Sequence, residues 1–99
     1  MKEYIIKYKK YMNEHLFYEA HEALEEFWFP RRKQKDKITL IVKGFINAAV
    51  AMELKKRGRL ENHKKIWQVY EKFAKLIEDD DTEFIELKKY VDRFKDIEF

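Results

Sequence analysis

Wound at 100° per residue, residues 38–52 place apolar side chains on nearly every side of a helix. Ile38, Leu40, Ile41, Val42, Phe45, Ile46, Val50 and Met52 are interrupted chiefly by Lys43 and Asn47. A helix apolar all round must be wrapped by its neighbours. The segment from about 36 to 57 is therefore predicted to be the central, buried helix of an all-α bundle. Asp36 is placed to cap its start. Its end has the basic run Lys55-Lys56-Arg57 followed by Gly58: cations at the negative end of the helix dipole, and glycine where positive φ is needed. Gly44, Ala48 and Ala51 share one side, a small-residue seam along which a second backbone can approach closely.

The rest of the chain supplies the wrapping. With only two glycines and one proline among 99 residues, there is little material for the tight turns of a β-domain. Few, long elements are expected. Four further helices follow from apolar spacing, at about 2–12, 17–29, 60–78 and 81–94, joined by short connections into one domain over 1–99. Tyr4, Ile5, Tyr8, Tyr11 and Met12 share a face of the first helix, and Asn13 is placed to end it. Pro30 stops the second, and the basic segment 31–35 is read as a solvated loop. Ile66, Val69, Tyr70, Phe73, Leu76 and Ile77 form the expected buried face of the fourth, with His63 and Trp67 at its edge. Phe84, Leu87, Val91 and Phe94 form the stripe of the fifth, whose start has capping-box spacing between Asp80 and Glu83.

Several function classes fall away. Cysteine is absent, which removes disulfides and thiolate chemistry and fits a cytoplasmic protein. Serine is absent as well, and Thr39 and Thr82 sit in no catalytic context, so covalent hydrolysis lacks a nucleophile. The N-terminus does not have the form of a signal peptide, and 38–54 is too short and too polar to span a membrane. Lysine and glutamate are abundant and glutamine is scarce, a composition typical of thermophile proteins.

The residues that bear on chemistry lie in 17–28. On a helix, Phe17, Ala20, Leu24, Phe27 and Trp28 make the apolar arc and His21 stands at its edge. Glu25 lies one turn on, within reach of His21, while periodicity sends Glu19, Glu22 and Glu26 to the opposite face. The string Glu19-Ala20-His21-Glu22, then Leu24-Glu25, then Trp28, resembles the domain-of-unknown-function 309 family. A looser second block, Gly44-Phe45-Ile46-Asn47-Ala48-Ala49 and then Lys56-Arg57-Gly58, looks like it too. Together the blocks cover roughly residues 13–60. The family usually has glutamine where Asn47 stands, often glutamine at Lys43, and asparagine at Arg59. The resemblance implies a compact helical fold and supplies no activity. It singles out Glu19 and Glu22 beside His21, with Phe17, Leu24, Trp28, Gly44, Asn47 and Gly58 as motif positions.

Three readings of these residues compete. A metal site would use His21, Glu22 and Glu25 with His63, Glu53 or Glu61 from elsewhere. The zinc-protease and di-iron spacings are not met, because position 25 is Glu and position 18 is Tyr. A metal-dependent or acid–base enzyme would use Glu19, His21, Glu22 and Glu25. A structural or protein-interaction module, the favoured reading, needs neither metal nor cofactor and makes the His/Glu cluster a packing and recognition feature, with Asn47 expected to face it. Two Trp, six Tyr and eight Phe are more aromatics than a small core readily buries. Tyr4, Tyr8, Tyr11 and Phe99 are therefore candidates for an interface with a second copy or another protein. A net charge of +3 is too mild for an obligate nucleic-acid binder. The two basic clusters also lie at opposite ends of a helix roughly 30 Å long.

Overall fold

The computed structural model describes residues 1–99 and is helical throughout. In order come α1 (Lys2–Asn13), α2 (Phe17–Trp28), α3 (Lys37–Lys56), α4 (Leu60–Ala74) and α5 (Thr82–Asp92), with 3-10 turns at Phe29–Arg31 and Arg93–Asp96. No helix is long and apolar enough to cross a membrane. The Cα radius of gyration, 12.5 Å, is close to the ~13 Å of a single packed domain of this length.

The central helix is α3. The Asp36 carboxylate accepts a hydrogen bond from the Thr39 backbone N–H at 3.1 Å and caps its start. Its end closes in a Schellman arrangement: the N–H of Gly58 reaches Lys55 O and that of Arg59 reaches Leu54 O, both at 2.9 Å, with Gly58 at φ 78°. Between these ends Ile41, Val42, Phe45, Ala48, Ala49, Ala51 and Met52 are buried. One strip escapes: Lys43 is exposed and Asn47 and Val50 are half-buried. α3 packs most heavily on α4 and next on α2. The α4 contact runs over Gly44, where an added Cβ would lie 2.9 Å from the Cβ of Phe73.

α1 and α5 close the other side. Ile5, Tyr8 and Met12 are buried from α1, and Phe84, Leu87 and Val91 from α5, followed by Phe94 in the turn after it. The Tyr8 hydroxyl donates to Phe45 O at 2.8 Å, and burial pushes its pKa well up. Tyr8 is therefore a core residue and leaves the set of interface candidates. Tyr4 and Tyr11 pack against the same core while half-exposed, and Phe99 stays exposed. From α5 the Tyr90 hydroxyl reaches Asn13 Oδ1 at 2.6 Å, tying the last helix to the first.

The structure departs from the sequence expectation at four joints. α1 continues through Asn13, and its left-handed cap is His15, at φ 57°. The N–H groups of His15 and Leu16 bond Met12 O and Tyr11 O. The conformation is uncommon for a non-glycine residue, and here the ring stacks on Phe17 at 5.4 Å. α2 ends one residue early, and Pro30 sits inside the 3-10 turn rather than after a helix. α4 ends at Ala74 instead of about 78, because the N–H groups of Leu76 and Ile77 turn back to Phe73 O and Ala74 O. The capping box of Asp80 and Glu83 does not form. The N-cap of α5 is Asp81, whose side chain caps nothing and instead accepts from Glu78 N and from Lys37 Nζ. The buried face of α4 is also shifted: His63, Trp67, Tyr70 and Ala74 line the core, and Leu76, beyond the helix end, is exposed.

Candidate functional site

The residues 17–28 divide cleanly between interior and surface. Phe17, Ala20 and Leu24 are fully buried and fix α2 to the core. Trp28 is half-buried, with Lys43 Nζ 5.9 Å from its ring centre. Here the α2 motif meets the exposed strip of α3. Asn47 does not join it: its side-chain amide donates to Lys43 O at 2.9 Å, inside its own helix.

His21 stands between these halves, its side chain 16% exposed. Nε2 lies 2.7 Å from Glu25 Oε1, the i, i+4 contact that the spacing demands. Nδ1 lies 2.6 Å from the backbone oxygen of Tyr18, one turn back. The Tyr18 ring leans over the imidazole at 4.9 Å, and that tyrosine is 54% exposed. Both ring nitrogens therefore face oxygen acceptors within α2. Which nitrogen carries the proton is set by the tautomer, and each has an oxygen within 2.7 Å.

The glutamates go to the surface, as periodicity requires. Glu22 and Glu26 are exposed and Glu19 is half-buried. Glu19, Glu22 and Glu26 line a shallow cleft of about 190 Å³ against Lys7 and Tyr11 of α1. Glu19 also borders a second opening of about 300 Å³ with Tyr18, Glu53, Lys56 and Arg57. In that opening Glu53 already pairs with Arg57 at 2.7 Å. Both openings carry acidic groups on their rims with cations opposite them.

His63 is remote in role. It is 6% exposed, and its Nδ1 meets Ala51 O at 2.8 Å, so it pins α4 to α3 at the small-residue seam. No three His, Asp or Glu side chains come close enough to share a metal ion; the structure does not bring His21, Glu22, Glu25 and His63 together as a ligand set. Sequence reasoning missed the Tyr18 carbonyl as a partner of His21, since a backbone acceptor has no sequence signature beyond helical spacing.

No curated protein and no solved structure matches the chain. A family model does match, described as domain of unknown function (DUF309), over residues 5–66. That stretch runs from α1 into α4 and contains the whole His21 network. On this match over most of its length, the chain belongs to the domain-of-unknown-function 309 family.

Proposed function

We propose that this protein is a structural and protein-interaction module whose recognition surface is the outer face of α2. The observation that carries the proposal is the engagement of both His21 nitrogens, by Tyr18 O and by Glu25. A histidine held in this way is a poor general base and a poor metal ligand, but a good rigid support for the side chains around it. Tyr18 leans on it, and Phe29, 56% exposed, follows at the end of the same helix. Exposed aromatics fixed in place beside ordered carboxylates are the composition of interaction surfaces. The absence of cysteine supports a reducing, cytoplasmic setting.

The partner tested first is a second copy of the chain. Static light scattering from micromolar to millimolar protein should show a mass above the monomer that falls back to it in the double variant Tyr18→Ala/Phe29→Ala. Both side chains are exposed, so the variant keeps its fold. A monomeric parent at every concentration, or an assembly indifferent to the two substitutions, removes self-association through this face.

A further inference from the structure

The end of the molecule where α2 hands over to α3, and α4 to α5, carries two loops of opposite charge. Residues 31–37 hold Arg31, Arg32, Lys33, Lys35 and Lys37 against one acid, Asp36, whereas residues 78–81 are all acidic. The loops are adjacent, since Lys37 Nζ reaches Glu78 at 3.0 Å and Asp81 at 2.7 Å. No other ion pair joins them.

Both loops are held in shape. The Arg31 guanidinium lies 4.4 Å from the centre of the Phe27 ring and that of Arg32 lies 3.9 Å from the Phe29 ring. Arg32 also donates to Phe29 O at 2.7 Å. The acidic loop is a turn, closed by the Asp81 N–H on Glu78 O at 3.0 Å and by the Glu78 N–H on the Asp81 carboxylate at 2.8 Å. Asp79 and Asp80 are its two central residues, and both are exposed. Asp36 is committed to the Thr39 N–H. Arg31, Arg32, Lys33 and Lys35 on one loop, and Asp79 and Asp80 on the other, therefore form no ion pair.

Helix dipoles favour these signs, cations after α2 and carboxylates before α5, yet they leave both sets without a counter-charge. A partner of one sign answers one loop and is repelled by the other; a polyanion would meet Asp79 and Asp80. A second copy carries both complements by construction. A two-fold axis through this end sets each basic loop on the other copy's acidic turn, the self-complementary form of an isologous contact. Phe29, Ile38 and Leu76, which are 56%, 44% and 37% exposed, supply apolar contact beside the charges.

We infer that two copies of the chain associate end to end, the loop 31–35 of each pairing with Asp79 and Asp80 of the other. This rests on the reading of the chain as an interaction module and adds which surface a second copy meets. Phe29 is common to both surfaces; Tyr18, at the other end of α2, belongs to the first alone.

Sedimentation equilibrium of the whole chain, up to about millimolar concentration, should show a dimer that weakens at least roughly tenfold between about 0.02 M and about 0.5 M sodium chloride. Asp79→Lys/Asp80→Lys and Arg32→Glu/Lys33→Glu should each be monomeric alone. Their equimolar mixture should dimerise, because each reversed loop then faces its opposite. All four positions are exposed, and circular dichroism checks that both variants keep the parent's helices. Should Arg32→Glu/Lys33→Glu melt early, Lys33→Glu/Lys35→Glu makes the same reversal without touching the stacked arginine. The inference is overturned if the parent is monomeric at low salt, if the reversed variants assemble like the parent, or if their mixture gains nothing over either alone. A monomeric parent leaves the α2 surface to a different protein. An assembly kept in both reversed variants but lost in Tyr18→Ala overturns the end-to-end contact and leaves the α2 surface standing.

Discussion

Gly44 and Phe73 meet so closely that a Cβ on the glycine would stand 2.9 Å from the Cβ of the phenylalanine. The atom in the way is the root of a side chain, fixed by the α4 backbone, and cannot swing aside. Two effects oppose each other in Gly44→Ala. Helix propensity favours alanine by roughly 1 kcal/mol, while forcing α3 from α4 costs about 1–3 kcal/mol. The contact wins, and thermal melting should show a less stable protein. Phe73→Ala does not relieve the clash, because alanine keeps the Cβ.

Gly58 is the opposite case. A Cβ there meets nothing within 4 Å, but φ is 78°. Gly58→Ala should cost roughly 1–2 kcal/mol through backbone conformation alone. Gly58→Asn should recover part of that in denaturant unfolding, since asparagine tolerates the left-handed region best among the other residues.

How far the sequence reached depends on which kind of contact decides the matter. The α5 stripe Phe84, Leu87, Val91 and Phe94 is buried as its spacing implies, because there one apolar face meets one core. α4 has apolar residues over a wider arc, and which part turns inward is set by its partner. The approach at Gly44 and the His63 bond to Ala51 O set Trp67 and His63 to the inside, and Leu76 falls in the turn beyond the helix end and is exposed. Periodicity within one helix cannot see that choice. At the candidate site the surface positions of Glu22 and Glu26 and the His21–Glu25 contact were legible, being local to one helix. Asn47 was expected to face them and bonds its own backbone instead. An amide beside an exposed lysine has that option, and sequence alone does not rank it.

The ion pairs around Lys37 make the ends of the pH range unequal in origin. Lys37 Nζ lies 2.7 Å from Asp81 and 3.0 Å from Glu78. The hydrogen bond from Lys37, then that from the Glu78 backbone, hold the Asp81 carboxyl below its usual 3.8. Asp81, then Glu78, raise the Lys37 ammonium above its usual 10.5. The depressed carboxyl contributes stability above the ordinary carboxylate range and loses it as pH falls through the folded value. The raised ammonium contributes below 10.5 and loses it as pH rises through its folded value. Asp81→Asn should therefore melt below the parent near pH 7, with the gap closing as the pH falls below 3.8. A gap constant from neutral to acid pH would assign the loss to packing.

His21→Ala removes one charge-assisted contact and one backbone contact from a side chain only partly shielded from water. The expected loss is about 0.5–1.5 kcal/mol in urea unfolding, with the helical circular dichroism spectrum unchanged. A loss above roughly 3 kcal/mol would instead place His21 in a buried network.

His21 is occupied within α2 by Tyr18 O and Glu25, and the role proposed for the motif is recognition and not metal or proton chemistry. Its most direct test is nitrogen-detected NMR of the three histidine rings in tag-free protein, titrated with zinc. The account predicts that the His21 ring signals keep their positions up to stoichiometric metal, with Glu25→Gln shifting them in the absence of zinc. A saturable, one-to-one displacement of the His21 signals by zinc, unaffected by loss of Glu25, would contradict it.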